Sequence, residues 1–379
     1  MKYCKKCLYP DTKPQLVFND EDVCSACINS ELKESIDWIQ KEKEFRDICA
    51  KHKSKDDSNY DCIIPVSGGR DSTYQTYAMK EIFGMNPLAV AFHPLDQTQI
   101  GRKNLENLKK LNVDCIEFST KPTTYLKLSK FGLTELGDFQ WPEHIGIFTV
   151  PVQIAVKYNV PLIVWGENPQ LEYGMPTNIE KDVILDREWN EKNGGYFLDK
   201  IKPKDMVKYG FEKRDLLPYF YPADEEIRKV GVTGIFLGSY IKWDVFKQLE
   251  IVKNLGFTEN SEPVEGTYQR FENLDVFFTV FHDYFKFLKY GFGRSTDHAS
   301  IEIRYNRISR NEGIELVKKH EGKIPRKYLK EFLKAAEITE KEFHDICDKF
   351  TNVELFQTDQ NGKLLKDKDG NLTLKNEIS

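Results

Sequence analysis

Short apolar runs of strand length recur through the middle of the chain, separated by longer stretches where apolar and polar positions mix. Cys62-Ile63-Ile64-Pro65-Val66 is the first, followed by residues 88–92, 113–118, 162–165 and 235–237. The stretches 73–83, 102–111, 145–158 and 242–255 are long enough for helices. Near-continuous apolar strands alternating with helices predict an α/β domain whose parallel sheet is covered on both faces.

The pattern changes on either side of this region. Residues 31–58 are rich in Lys, Glu and Asp, with Ile36, Trp38, Ile39, Phe45 and Ile48 interspersed, which predicts an amphipathic helix and then a polar linker over 51–58. From about residue 270 the periodicity is helical only. Phe277, Phe278, Phe281, Tyr284, Phe285 and Leu288 make one dense apolar face, and 312–320, 325–336 and 340–350 read as further short helices. The last twenty residues, with Asn361-Gly362 and Asp369-Gly370, read as a hairpin or a frayed tail. Three regions follow: 1–40 with a leading helix, 59–260 as the α/β domain, and 261–379 as a mainly helical end.

Composition narrows the function classes. The 379 residues are 40% hydrophobic and 13% aromatic, enough for a sizeable core and too much for a disordered chain. No apolar run approaches the about eighteen residues of a membrane span, and none follows the basic N-terminus, so a cytoplasmic location is expected. A net charge of −5 argues against a nucleic-acid partner.

The eight cysteines fall into two groups. Cys49, Cys62, Cys115 and Cys347 stand singly and read as small buried hydrophobes. Cys4-x-x-Cys7 and Cys24-x-x-Cys27 are two close pairs joined by a hairpin-sized spacer, in which residues 16–18 read as a short strand and 19–22 as a turn. Two such pairs predict a structural zinc ribbon with four thiolate ligands and no open position for substrate; the competing reading is a pair of redox dithiols.

The most informative segment is Ser67-Gly68-Gly69-Arg70-Asp71-Ser72, between the first strand and the first helix of the sheet domain. Two glycines let backbone approach an anion, the helix directs its N-terminal amides there, and Ser67, Ser72 and Arg70 add donors. Neither the Walker spacing nor the dinucleotide fingerprint fits. The segment resembles the signature of the PP-loop ATP pyrophosphatases. That resemblance implies a loop that holds the β,γ-pyrophosphate of ATP while an oxygen nucleophile attacks the α-phosphorus. It also implies Mg²⁺ on the phosphates with Asp71 as a partner, and adenine near Phe92 and His93 at the end of the second strand.

Three further segments mix glycine with ionisable residues: Gly166-Glu167-Asn168-Pro169-Gln170, Gly238-Ser239-Tyr240-Ile241-Lys242, and Gly291-Phe292-Gly293-Arg294-Ser295-Thr296-Asp297-His298. Each is expected to form a loop over the sheet's carboxyl edge. Together with the cysteine ribbon, they resemble the N-acetyl sugar amidotransferases, a family that includes the enzymes called PseA and WbpG, from Tyr3 to about Arg304. The resemblance implies conversion of an acetamido group on a bacterial surface sugar to an acetamidino group. The sugar would be pseudaminic or legionaminic acid for flagellin, or a diacetamido-uronic acid for lipopolysaccharide. It implies that Ser67, Gly68, Gly69, Arg70, Asp71, Ser72 and Gly166 hold ATP, and that Asp71, Glu167 and Asn168 serve Mg²⁺ or the attacking ammonia. Arg294, Asp297, His298 and Arg304 would approach the sugar, although Arg304 as a helix surface residue and His298 as a satisfied cap are equally open.

No cysteine sits in a glutaminase-like nucleophile context, so a separate partner similar to the HisH and HisF pair is expected to supply ammonia, with the aromatic C-terminal third as its docking surface. A homo-oligomer is compatible with this reading. The rivals are a PP-loop tRNA thiolation enzyme, which would need a reactive cysteine near the loop and a basic surface, and a catalytically silent scaffold.

Overall fold

The five predicted strands form one parallel sheet in a computed structural model that describes residues 1–175, 183–193, 201–376 and 378. They are β1 (Cys62–Val66), β2 (Pro87–His93), β3 (Asp114–Ser119), β4 (Leu162–Trp165) and β5 (Thr233–Phe236), in the order β3-β2-β1-β4-β5. Alternate side chains serve opposite faces. Ile63, Leu88, Val90, Phe92, Ile163 and Trp165 enter one core, while Cys62, Ile64, Val66, Ala89, Ala91 and Val164 enter the other. Because both faces are covered, the strands read as unbroken apolar runs.

Two helices, α1 (Ser25–Lys33) and α2 (Trp38–His52), precede the sheet, where the sequence predicted one helix from residue 31. The break between them ends at Asp37, whose side chain caps α2 by accepting from Gln40 N. The crossover after β1 is α3 (Arg70–Tyr77), prolonged by a π-helical turn over Ala78–Ile82, and after β2 comes α4 (Gln99–Asn107). The apolar pattern missed α5 (Pro122–Phe131) but found α6 (Trp141–Tyr158), which lays Gly146 directly on the ring of Phe92. The segments α7 (Pro169–Tyr173), α8 (Arg187–Asn193), α9 (Asp224–Val230) and α10 (Val245–Asn254) complete the domain.

The C-terminal region contains α11 (Thr279–Tyr290), α12 (Arg294–Arg304), α13 (Arg310–His320), α14 (Leu329–Ala336) and α15 (Glu340–Phe350). Phe278, Phe281, Tyr284, Phe285 and Leu288 are buried with Phe332 and Phe343, and the rings of Phe281 and Phe332 stack with centroids 4.0 Å apart. The aromatic stripe is therefore the region's own core. The expected loop at 291–298 is corrected. Gly291 ends α11 in a left-handed conformation (φ 74°), Gly293 caps α12, and helix begins at Arg294. The expected strand at 16–18 reduces to one bridge, Phe18 with Cys24. The tail folds back through bridges between Phe356 and Leu374, Thr358 and Leu364, and Lys366 and Leu372. Among the described residues, no helix is long and apolar enough to cross a membrane.

Candidate active site

Strand order puts the phosphate loop at a switch point. From β1 the chain moves outward to β2 and β3, and it returns to β4 on β1's other side, so the loops after β1 and β4 open side by side. Gly68 adopts φ +89° at the tip of the turn, and Gly69 precedes the first turn of α3. The loop is knitted by its own hydroxyls. Gly69 N donates to Ser67 Oγ (3.2 Å), Ser67 N donates to Ser72 Oγ (3.3 Å), and Thr73 Oγ1 donates to the Gly69 carbonyl (2.9 Å).

A cavity of about 530 Å³ opens over this edge of the sheet. Ser67, Gly69, Arg70, Asp71, Ser72, Phe92, Gly166 and Glu167 line it, as does Arg294 from α12. Burial, reinforced by the nearby charge of Asp71, pushes the Glu167 carboxyl up to about 8, and Tyr173 OH donates to it at 3.3 Å. Asp71 and Glu167 together offer the hard oxygen ligands that Mg²⁺ prefers. Arg70 is already engaged. Its buried guanidinium pairs with Asp71 (2.8 Å) and Glu272 (3.1 Å) and donates to Gln248 Oε1 (3.0 Å), so it braces the loop.

Some expected residues lie elsewhere. Gly68 shapes the loop without lining the cavity, and His93 turns Nδ1 to the Pro94 carbonyl at 2.8 Å. Asn168 is almost fully buried as the cap of α7, accepting from Gln170 N and donating to Ser239 Oγ, both at 2.9 Å. It does not line the cavity.

The paired cysteines converge at the N-terminus. All four are buried, with Cys4 and Cys27 sulfurs 3.8 Å apart and those of Cys7 and Cys24 3.5 Å apart. These separations approximate the edge of a tetrahedron with metal–sulfur bonds of about 2.3 Å, and they fit a structural zinc. Of the single cysteines, burial pushes Cys49 up to about 12 and Cys115 up to about 11, which leaves their thiols protonated and unreactive.

Residues 265–368 match the family described as LPS biosynthesis protein WbpG-like, C-terminal domain. The match lies wholly within the C-terminal region of this chain. A curated relative, an uncharacterized protein of Methanocaldococcus jannaschii, is 30% identical over 105 residues, which is 27% of this chain and 36% of that protein. The chain thus spans about a third of that relative's length. Among solved structures, an NMN synthetase from Francisella tularensis overlaps with TM-score 0.32 at 15% identity, covering 72% of this chain and 94% of that one. An NH3-dependent NAD synthetase from Campylobacter jejuni overlaps with TM-score 0.30 at 14% identity, covering 60% of this chain and all of that one. Both overlaps are too loose to argue from.

The WbpG-like region contains all four residues expected to approach the sugar, and only one of them lines the cavity. Arg294 lines it, held from behind by Asp283 at 3.3 Å. Asp297 points the other way into an ion pair with Lys286. His298 bonds Thr267 Oγ1 at 2.9 Å and stands 3.7 Å from Glu272, so it acts on a cavity carboxylate and not on the space itself. Arg304, also expected at the sugar, donates to the Glu172 carbonyl at 2.7 Å and lies over the Tyr9 ring beside the cysteine cluster. It joins the ribbon to the sheet domain.

The same WbpG-like region supplies cavity residues that sequence reasoning missed. Glu272, Asn273 and Asp275 are brought to the phosphate loop by a bridge between Gln97 and Val276 and by Thr98 N donating to the Asp275 carbonyl (2.9 Å). Burial pushes Glu272 up, but His298 and Arg70 outweigh it and keep the carboxylate well below its ordinary range. Glu143 and His144 of α6, with His282 of α11, close the far wall.

Proposed function

We propose that this protein is an ATP-dependent amidotransferase that forms AMP and pyrophosphate while converting an acetamido group of a surface sugar to an acetamidino group. The observation that carries this reading is a shared cavity: the phosphate loop, the carboxylates of Asp71 and Glu167, and Arg294 of the WbpG-like region all line it. The loop amides, the hydroxyls of Ser67 and Ser72 and the N-terminus of α3 hold the phosphates. Phe92 offers adenine an apolar surface. Bound to Asp71 and Glu167, Mg²⁺ would neutralise phosphate oxygens as charge develops.

The acetamido oxygen attacks the α-phosphorus and pyrophosphate leaves; ammonia then adds to the imidate carbon and AMP is expelled. Arg294 suits an anionic substituent, which a pseudaminic or legionaminic acid carboxylate or a nucleotide-linked diacetamido-uronic acid would supply. Ammonia comes from a separate glutaminase similar to the HisH and HisF pair, in the cytoplasm, where ATP is available. The test is incubation with ATP, Mg²⁺, ammonium and these sugars. The reading requires AMP release together with a product lighter by the difference between O and NH. AMP release with tRNA and none with sugars would contradict it.

A further inference from the structure

We propose that His144 and His282, clamped by Asp138, form the proton-accepting pair that converts ammonium to the attacking ammonia; this inference rests on the amide-to-amidine reading above. Asp138 lies just before α6 and is 2% exposed. One carboxylate oxygen accepts from Gln140 N at 3.0 Å and faces His282 Nδ1 at 3.0 Å, while the other faces His144 Nδ1 at 3.2 Å. The two imidazoles come from different helices, meet edge to face with centroids 4.7 Å apart, and line the same cavity as Ser67 and Asp71.

The clamp assigns the ring nitrogens. Burial alone would push Asp138 up, but the imidazoles of His282 and His144 outweigh it and hold the carboxylate well below its ordinary range. An ionised carboxylate only accepts hydrogen bonds, so each Nδ1 carries the hydrogen and each Nε2 is left as the basic nitrogen. Carboxyl groups from three elements surround the pair. From α6, Glu143 is held well above its ordinary range by burial and by Asp96 and Asp275, and Gln140 Nε2 donates to it at 3.2 Å. From α11, Asp283 lies beside His282 and stays ionised, paired with Arg294 of α12. From the segment before α11, Asp275 completes the ring of acidic groups.

The step balances. Nε2 takes one proton from ammonium, and the freed nitrogen lone pair forms the bond to the imidate carbon. The carbon–oxygen bond to the adenylyl group breaks, with its electron pair leaving on AMP. The amidine keeps its remaining extra proton as amidinium, and the imidazolium returns its proton to solvent. Asp138 is a positioning residue, since it acts only through the two rings.

The test separates adenylation from nitrogen transfer. Sugar-dependent exchange of labelled pyrophosphate into ATP, measured with pseudaminic acid, legionaminic acid and a nucleotide-linked diacetamido-uronic acid in turn, reports adenylation and needs no nitrogen source. In His144→Gln/His282→Gln and in Asp138→Asn, exchange is expected to persist, which also shows that the variants are folded; the single His282→Gln serves if the double variant is not. Amidine formation from ammonium is expected to fall by about 10²-fold or more. Hydroxylamine, largely unprotonated at neutral pH, should restore product. The residual ammonium-dependent rate of the variants should follow free ammonia, rising about tenfold per pH unit, against a flatter profile for the unsubstituted protein. Equal losses with ammonium and hydroxylamine, or loss of exchange in folded single variants, would overturn the proposal. So would a second bound transition metal that disappears in His282→Gln, because the Nδ1 atoms would then be ligands. If the unsubstituted protein shows no exchange, the amidotransferase reading itself fails, and the inference with it.

Discussion

The carbonyl oxygen of Gly101 occupies the space where a side chain on Gly68 would begin: a Cβ there would come within 2.7 Å of it. Gly101 in turn lies against Asp275, whose Cα would sit 2.5 Å from a Cβ at position 101. The phosphate loop, α4 and the segment leading into α11 therefore touch backbone to backbone. The loop's shape depends on the C-terminal region as much as on its own glycines.

Gly68→Ala must both tolerate φ +89° and displace α4, so we expect ATP binding to weaken at least about tenfold and the melting temperature to fall by several degrees. Gly210→Ala is the control. Its φ is +84°, but nothing lies within 4 Å of the new Cβ, so the cost should be about 1–2 kcal/mol with ATP binding unchanged. Equilibrium binding and thermal unfolding of the two variants check this.

The ribbon should carry one zinc per chain, measurable by metal analysis of the purified protein. Ser25 Oγ donates to the Gly174 carbonyl and Asn29 Nδ2 to the Gln170 carbonyl (2.8 Å), so α1 steadies the loop after β4. Cys7→Ser, or a strong chelator, is expected to lower the melting temperature and expose this region to protease. Full zinc content with unaltered stability in Cys7→Ser would sink the ribbon.

Lys33 and Glu172 form a buried ion pair, with side chains 4% and 5% exposed, and Lys33 also donates to Tyr305 OH at 3.0 Å. Lys33→Met leaves a carboxylate buried without its partner and should cost about 3–5 kcal/mol. Lys33→Met/Glu172→Leu should recover part of that loss in denaturant unfolding, because both desolvated charges are then gone.

Glu167 titrates near 8 when folded and near 4.5 when exposed, so the folded state holds its proton more tightly. Stability should therefore decline as pH rises from about 4.5 to about 8, and this contribution should flatten above that. Mg²⁺ binding needs the ionised form and should release a proton at neutral pH. Glu167→Gln removes both effects. Urea midpoints across this pH range, and calorimetric Mg²⁺ titrations in buffers of different ionisation enthalpy, test the pair.

The sheet was legible because strands buried on both faces leave unbroken apolar runs, and the loop because Gly68-Gly69 falls between such a run and a helix. The cysteine cluster was legible because its ligands lie close in sequence. The rest of the site was not. Asp138, His144 and His282 meet only where α6 crosses α11, and no local spacing records that contact. Gly291 and Gly293 look like a binding loop, yet they are the end of one helix and the start of the next, which turns Asp297 and His298 away from the cavity. Arg304 was placed at the sugar by the family resemblance, and its partners, the Glu172 carbonyl and the Tyr9 ring, come from regions distant in sequence.

The most direct test of the proposed chemistry is to follow the acetamido oxygen. With the acetamido group labelled by oxygen-18 and ATP, Mg²⁺ and ammonium supplied, the account predicts that the label appears in the phosphate of AMP, one atom per amidine formed, and not in pyrophosphate. Label in pyrophosphate or inorganic phosphate, or amidine formed with unlabelled AMP, would contradict it.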